Sequence, residues 1–204
     1  LFVTDKGLQF AYQNQPLTIT AKSKFQRRSF PDFKMVILDN SGSMREALDS
    51  SGIGNANTIP WGDNSKYHFA LLGFYGIENF LQRQGIAQYI NHGLSMFSSR
   101  TRFKEANFFG MDEVRKLALE PEFGNTYIDA KTLEQALQGR ESFVLSLSDG
   151  EIGNWDSEKR NFQELAKRNY YAHIQIGSAA QFSRDLESWQ IPVFYVSKGE
   201  DLSK

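Results

Sequence analysis

The chain contains no cysteine. Disulfides and thiolate metal centres are therefore excluded. Histidine is nearly as scarce: His68, His92 and His173 fall on different expected elements. No pair has the spacing of metal ligands on one helix face, so each is read as structural or exposed. No apolar run approaches the roughly 18 to 20 residues that cross a bilayer. The opening residues lack the basic start and long apolar block of a secretory leader. Neither sign of charge dominates, since 23 Lys and Arg face 24 Asp and Glu, a net charge of −1. A nucleic-acid binder usually carries a basic stripe, so no nucleic-acid partner is expected. The one basic cluster, Lys22, Lys24, Arg27 and Arg28, reads as the solvated end of a hairpin. A cysteine-free chain of this kind is expected in the cytoplasm, with an extracellular surface as the other setting. It opens on Leu1 and closes on a polar tail, and is expected to be a piece of something larger. Any membrane anchor would lie outside it.

What is there is an alternation of short apolar runs and helical patterns. Its 204 residues suffice for one sizeable core. "LQFAY" and "LTITA" alternate around the turn-like "QNQP", which predicts an N-terminal β-hairpin. We take residues 1–30 as that extension and 31–204 as the main domain. Phe33–Leu38 is a nearly continuous apolar run, the mark of a strand covered on both faces. Residues 50–65 are rich in Gly, Asn and Ser and form a loop. Tyr67, Ala70, Leu71, Phe74, Ile77 and Leu81 then recur at helical spacing. Gly73 and Gly76 cost that helix stability unless it packs closely on the sheet. Further strands are expected at "AQYINHGLSMF", "TRFKEANF", "SFVLSLSDG", "AHIQIG" and "VFYVS". Helices are expected near 111–119, 129–138, 156–168 and 183–189. The alternation implies an α/β, Rossmann-like, doubly wound and mostly parallel sheet with helices on both faces. Ligands of such sheets bind beyond the carboxyl ends of central strands. Asp39 and Asp149 both fall there.

The stretch "VILDNSGSM" places Asp39, Ser41 and Ser43 at alternate positions after a strand. In an extended turn these side chains share a face, and Gly42 permits a sharp bend. All three offer oxygen and none offers nitrogen or sulfur. Such donors suit Mg²⁺, Mn²⁺ or Ca²⁺ far better than Zn²⁺. Two carboxylates at one sheet edge would also repel each other unless a cation neutralised them. The same residues can instead cap the next helix and satisfy backbone amides. On the residues alone, both readings stand.

Asp39-x-Ser41-x-Ser43, a later Thr126 after Gly124-Asn125, and Asp149-Gly150 at a strand end together resemble the von Willebrand factor A (VWA) domain. The match is to its metal-ion-dependent adhesion site, and it extends from about Phe33 to Val196. The resemblance implies that Ser41 and Ser43 bind Mg²⁺ directly through their hydroxyls. It implies that Asp39 and Asp149 bind it directly or through water. Thr126 would bind directly in one conformational state and through water in another. The last position would go to an Asp or Glu of a partner protein. Asn125 departs from the pattern, where a second small residue is usual. Residues 50–65 also interrupt the place where the first helix normally begins.

The resemblance thus implies a metal-dependent protein–protein interaction module and no enzyme. The alternative is a metal-dependent phosphohydrolase with Asp39 as nucleophile. Against it, Ser41 stands where such enzymes place a second aspartate. Two settings suit the module: an adhesin-like surface, or an assembly with an AAA+ ATPase, since "DNSGSM" and "SDGE" also resemble chelatase-like domains. Trp61, in the inserted loop, is either a packed plug or a partner-binding anchor. Glu151, just after Asp149-Gly150, is a second partner-binding candidate. "NFFG" at Asn107–Gly110 is expected in the core.

Overall fold

The computed structural model describes residues 30–48, 61–198 and 201, together with the backbone of three N-terminal strands. Those strands are β1 (Phe2–Thr4), β2 (Gly7–Tyr12) and β3 (Gln15–Thr18), an antiparallel sheet in the order β1-β2-β3. The expected hairpin is the β2–β3 pair, which closes at Tyr12 opposite Gln15, and β1 adds a strand to it. The basic cluster at 22–28 and most of the inserted loop lie outside the described residues.

The main sheet begins with β4 (Phe33–Asp39), every residue of which is buried. Its alternate side chains serve two cores. Phe33, Met35 and Ile37 join one cluster, and Val36 and Leu38 join the other. This period of two explains why the run reads as continuously apolar. A long helix, α1 (Lys66–Arg83), crosses to β5 (Asn91–Phe97), and β6 (Thr101–Ala106) turns back antiparallel beside it. Two short helices follow, α2 (Met111–Ala118) and α3 (Ala130–Leu137). Asp129 caps α3 by accepting from the Thr132 N–H at 3.0 Å. Then come β7 (Ser142–Ser148), α4 (Trp155–Arg168), β8 (Tyr170–Ile176), α5 (Gln181–Ser188) and β9 (Val193–Val196). The strand order is β6-β5-β4-β7-β8-β9, parallel except at β5–β6. Residues of α1 and α2 pack with the Val36 face, and residues of α3, α4 and α5 with the Phe33 face. The order of winding reverses between β4 and β7, where a doubly wound sheet opens its crevice.

Several local expectations change. Gly73 does lie against the sheet: a Cβ there would fall 2.6 Å from the Leu147 side chain. Gly76, by contrast, is exposed and has open space around it. Glu78, not Ile77, takes the buried place on α1. It joins Lys34, which lies buried within the apolar strand, and His92, whose Nδ1 is 3.3 Å from its carboxylate. Desolvation pushes the Lys34 amine down to about 7. Phe109 of "NFFG" is exposed rather than core, while Phe108 packs partly against Ile90 and its neighbours. Among the described residues, no helix is long and apolar enough to cross a membrane.

Candidate functional site

Strand register brings the two acidic ends together. Leu38 pairs with Leu147, so Asp39 and Ser148 leave the sheet side by side. The Ser148 hydroxyl donates to Asp39 Oδ2 at 2.6 Å and accepts from the Gly150 N–H at 2.8 Å. The other oxygen, Asp39 Oδ1, accepts from the Ser41 N–H at 2.9 Å. Asp39 and Ser41 are fully buried, and Asp149 is nearly so.

The turn after β4 is not the extended one the spacing suggests. Residues Gly42–Arg45 form one 3₁₀ turn, which brings Ser41 Oγ and Ser43 Oγ to 3.2 Å. Gly42 has an ordinary negative φ; a Cβ there would meet the Gly124 carbonyl at an ordinary contact distance of 3.4 Å, and its N–H donates to that carbonyl at 2.8 Å. That contact bridges Ser41 to Gly124 and lays the 123–126 segment beside the motif. A Cβ at Gly124 would clash with the Ser99 hydroxyl, which could give way only by loosening its hydrogen bond from the Asn125 N–H. Asn125 is exposed, and packing asks for no small side chain there. Thr126 is half-buried on this segment, and its carbonyl accepts from the Gly153 N–H at 2.8 Å.

The Asp149 loop is held from two sides. Gly150 has φ +74°, and a Cβ there would come within 2.7 Å of Ala180 Cβ and 2.9 Å of Gln175 Oε1. Gln175 Nε2 donates to the carbonyls of Asp149 and Ser178, both at 2.7 Å. Its Oε1 is thereby left to accept from His173 Nε2 at 3.1 Å. The His173 Nδ1 then faces the Ser146 hydroxyl at 2.8 Å, which also accepts from Tyr171 at 2.6 Å. This buried chain assigns the neutral, Nε2-protonated tautomer to His173. Burial pushes its pKa down to about 4. A depressed value means that the unfolded chain, near 6.5, takes the proton first. The stability that His173 contributes is therefore whole above pH 6.5 and lost as pH falls towards 4, to the extent of about 3 kcal/mol. Imidazole NMR should show His173 neutral at pH 6; an imidazolium there would contradict the network.

Sequence reasoning missed Lys66. Its Nζ lies 3.0 Å from Asp149 Oδ2 and 3.0 Å from Glu46 Oε2. Residues 46–48 leave the 3₁₀ turn in extended form and pair with 64–66 through Leu48 N–Asn64 O and Lys66 N–Glu46 O, both 2.9 Å. That pairing postpones the first long helix to Lys66. Burial pulls the Lys66 amine down, but Asp149 and Glu46 outweigh it and leave it raised.

The two partner-binding candidates have different surroundings. Glu151 is exposed, and its N–H donates to Asp149 Oδ1 at 3.2 Å. Trp61 is half-buried edge-on to Tyr67, which stacks edge-on to Phe123 in turn. Through these rings it buttresses the segment leading into Gly124. An open groove of about 810 Å³ runs past Lys66, Asp149 and Glu151 to Ala180 and Gln181.

The donor chemistry fits a hard divalent cation. Asp39, Ser41, Ser43 and Asp149 offer only oxygen, and only neutral donors bond to Asp39. Desolvation, and then the Asp149 charge, push the Asp39 carboxyl up to about 7, although Ser148 and Ser41 pull the other way. A buried carboxylate so placed lacks a counter-charge of its own. Among the described residues there is no cluster of three or more His, Asp or Glu suited to a metal, so any ion here depends on the hydroxyls.

No family model matches the chain, and no curated protein matches it in sequence. Solved structures do match in fold. The VWA domain of SpRpn10 superposes with a TM-score of 0.58 at 13% identity, over 85% of this chain and 92% of that one. The pilus adhesin SpaC from Lactobacillus rhamnosus GG, in its open conformation, gives 0.57 at 13%, over 87% of this chain and 29% of that one. The PilB minor pilin from Streptococcus sanguinis gives 0.57 at 12%, over 94% and 61%. The chain thus spans less than a third of the adhesin. Its fold is VWA-like: a Rossmann-like α/β sheet whose crevice carries the Asp39 and Asp149 loops.

Proposed function

We propose that this domain is a metal-dependent protein-binding module that captures an Asp or Glu of a partner at the β4–β7 crevice. The observation that carries the reading is the meeting of Asp39, Ser41, Ser43 and Asp149 at that crevice, with Asp39 short of a counter-charge. A bound Mg²⁺, or Mn²⁺ or Ca²⁺ in its place, supplies the positive charge that a partner carboxylate needs. Ser41 and Ser43 would hold it through their hydroxyls, Asp39 and Asp149 directly or behind water, and Thr126 from the neighbouring segment. Two neutral hydroxyls leave the ion under-neutralised, which favours an acidic ligand from outside. Glu151 on the groove wall would discourage a second acidic group nearby. Trp61 contributes by stiffening the Gly124 segment, and any part it leaves uncovered is available as an anchor.

A hydrolase reading has one point in its favour, the Lys66 ammonium beside Asp149. Against it, Asp39 is fully buried with both oxygens hydrogen-bonded, a poor position for a nucleophile. Turnover of a generic phosphomonoester that is lost in Asp39→Asn would revive it.

Selection of binders from a displayed peptide library in Mg²⁺ tests the proposal. The expected binders carry an essential Asp or Glu and are released by chelator. Binders that survive chelator and tolerate replacement of every acidic residue would refute it. Counter-selection against surface proteins and against AAA+ ATPases then separates the two settings for this module.

A further inference from the structure

Lysine is an unfavourable residue for the place that Lys66 occupies. It is the first residue of α1, where the helix dipole presents its positive end. No acidic residue in the first turn offsets it. The side chain is nonetheless largely buried, with 12% exposure, and its ammonium bridges Asp149 and Glu46 at 3.0 Å each. A helix start needs no lysine, and Ser65 already caps it by accepting from the His68 N–H at 3.1 Å. The position is therefore explained by what the ammonium reaches rather than by the helix.

It reaches the more accessible of the two carboxylates in the crevice. Asp39 and Asp149 repel each other, and the Lys66 ammonium is the only cation that an ion pair joins to either, among the described residues. The ammonium and a divalent ion would then compete for the same oxygen, Asp149 Oδ2. Room for exchange exists, because both residues line the open groove that leads to Ala180 and Gln181. Glu46, exposed at the crevice mouth, can keep hold of the ammonium as it leaves Asp149.

We propose that Lys66 is a resident stand-in for the metal: its ammonium holds Asp149 in the metal-free state and is displaced from it when a divalent ion enters. This rests on the metal-binding reading above. The domain then stays folded without metal, at a cost in metal affinity. Ion entry is coupled to movement of the first residue of α1 and of the chain pairing at 46–48.

The test is calorimetric titration of Mg²⁺ into chelator-stripped protein, wild type beside Lys66→Met and Lys66→Gln. The melting temperature of each metal-free protein is read in parallel. Loss of the competing charge should tighten Mg²⁺ binding about tenfold or more and lower the metal-free melting temperature. In the wild type, Mg²⁺ should also weaken the exchange protection of the Lys66 ammonium in lysine-selective NMR. This last readout needs no variant to fold. Unchanged or weaker Mg²⁺ binding in both variants, or a Lys66 signal indifferent to Mg²⁺, would overturn the proposal and leave the metal site standing. Absence of Mg²⁺ binding in wild type and variants alike would bring down both.

Discussion

Asp39→Asn should reduce Mg²⁺ affinity by about 100-fold or more while leaving the metal-free protein at least as stable as wild type. The two effects have opposite signs because Asp39 is a fully buried carboxylate beside another. Asparagine keeps its shape and can still accept from the Ser41 N–H. It removes the charge that burial and Asp149 both penalise, so metal-free folding loses a cost. It also removes the charge that makes the crevice attractive to a cation. Some strain remains, since Ser148 now donates to Asp39 Oδ2 and would have to reorient. Titration calorimetry and denaturant unfolding of the same preparation read both effects. Mg²⁺ binding unchanged within about twofold would mean that Asp39 holds the turn and no ion. A metal-free variant that unfolds would point the same way.

Acid should release the ion. In the proposed metal site, binding requires Asp39 ionised, and its carboxyl is pushed up to about 7. Below that value a proton competes for the same group, so affinity falls by about tenfold per pH unit; well above it, affinity is flat. Calorimetry at pH 8 and pH 6 should therefore differ about tenfold, with a proton released per ion at the lower pH. A raised carboxyl also means that the folded metal-free chain holds its proton where the unfolded chain, near 3.8, has lost it. The metal-free protein accordingly loses stability as pH rises from about 4 to 7, and the ion restores it above that range. His173 acts in the opposite sense over much of the same window, since it favours the folded state only while neutral. Metal-free stability should thus vary little with pH there, and the Mg²⁺-bound form should show the steeper acid loss. Affinity that is equal at pH 6 and pH 8 would contradict the placing of Asp39 at the ion.

The parts of this molecule that sequence reveals are those decided by local pattern. The apolar run at Phe33–Leu38 has to be covered on both sides, and from that and the alternation of elements the doubly wound sheet follows. Asp39, Ser41, Ser43 and Asp149 could be picked out as candidates because each stands at or just beyond the end of such a strand. What escaped was decided by tertiary partners. Ser148 lies next to Asp149 in the chain, but its role comes from the register of β7 on β4. Gln175 reaches the Asp149 carbonyl from a neighbouring strand. Lys66 gave one faint signal, a lysine at the start of a helix that otherwise begins with a good cap. Lys34, Glu78 and His92 show the same limit in the core. Each looks like a surface residue in isolation, and the three are buried only because they face one another. The 3₁₀ turn at Gly42–Arg45 replaced an extended one because Gly42 bonds across to Gly124, 82 positions along the chain.

The measurement that bears most directly on this account is an anomalous difference map from crystals soaked in Mn²⁺ after chelator treatment. The account predicts one peak in contact with the Ser41 and Ser43 hydroxyls, between the Asp39 and Asp149 carboxylates, with the Lys66 ammonium withdrawn from Asp149. A crevice without a peak at saturating Mn²⁺, and Lys66 still bridging Asp149 and Glu46, would contradict it.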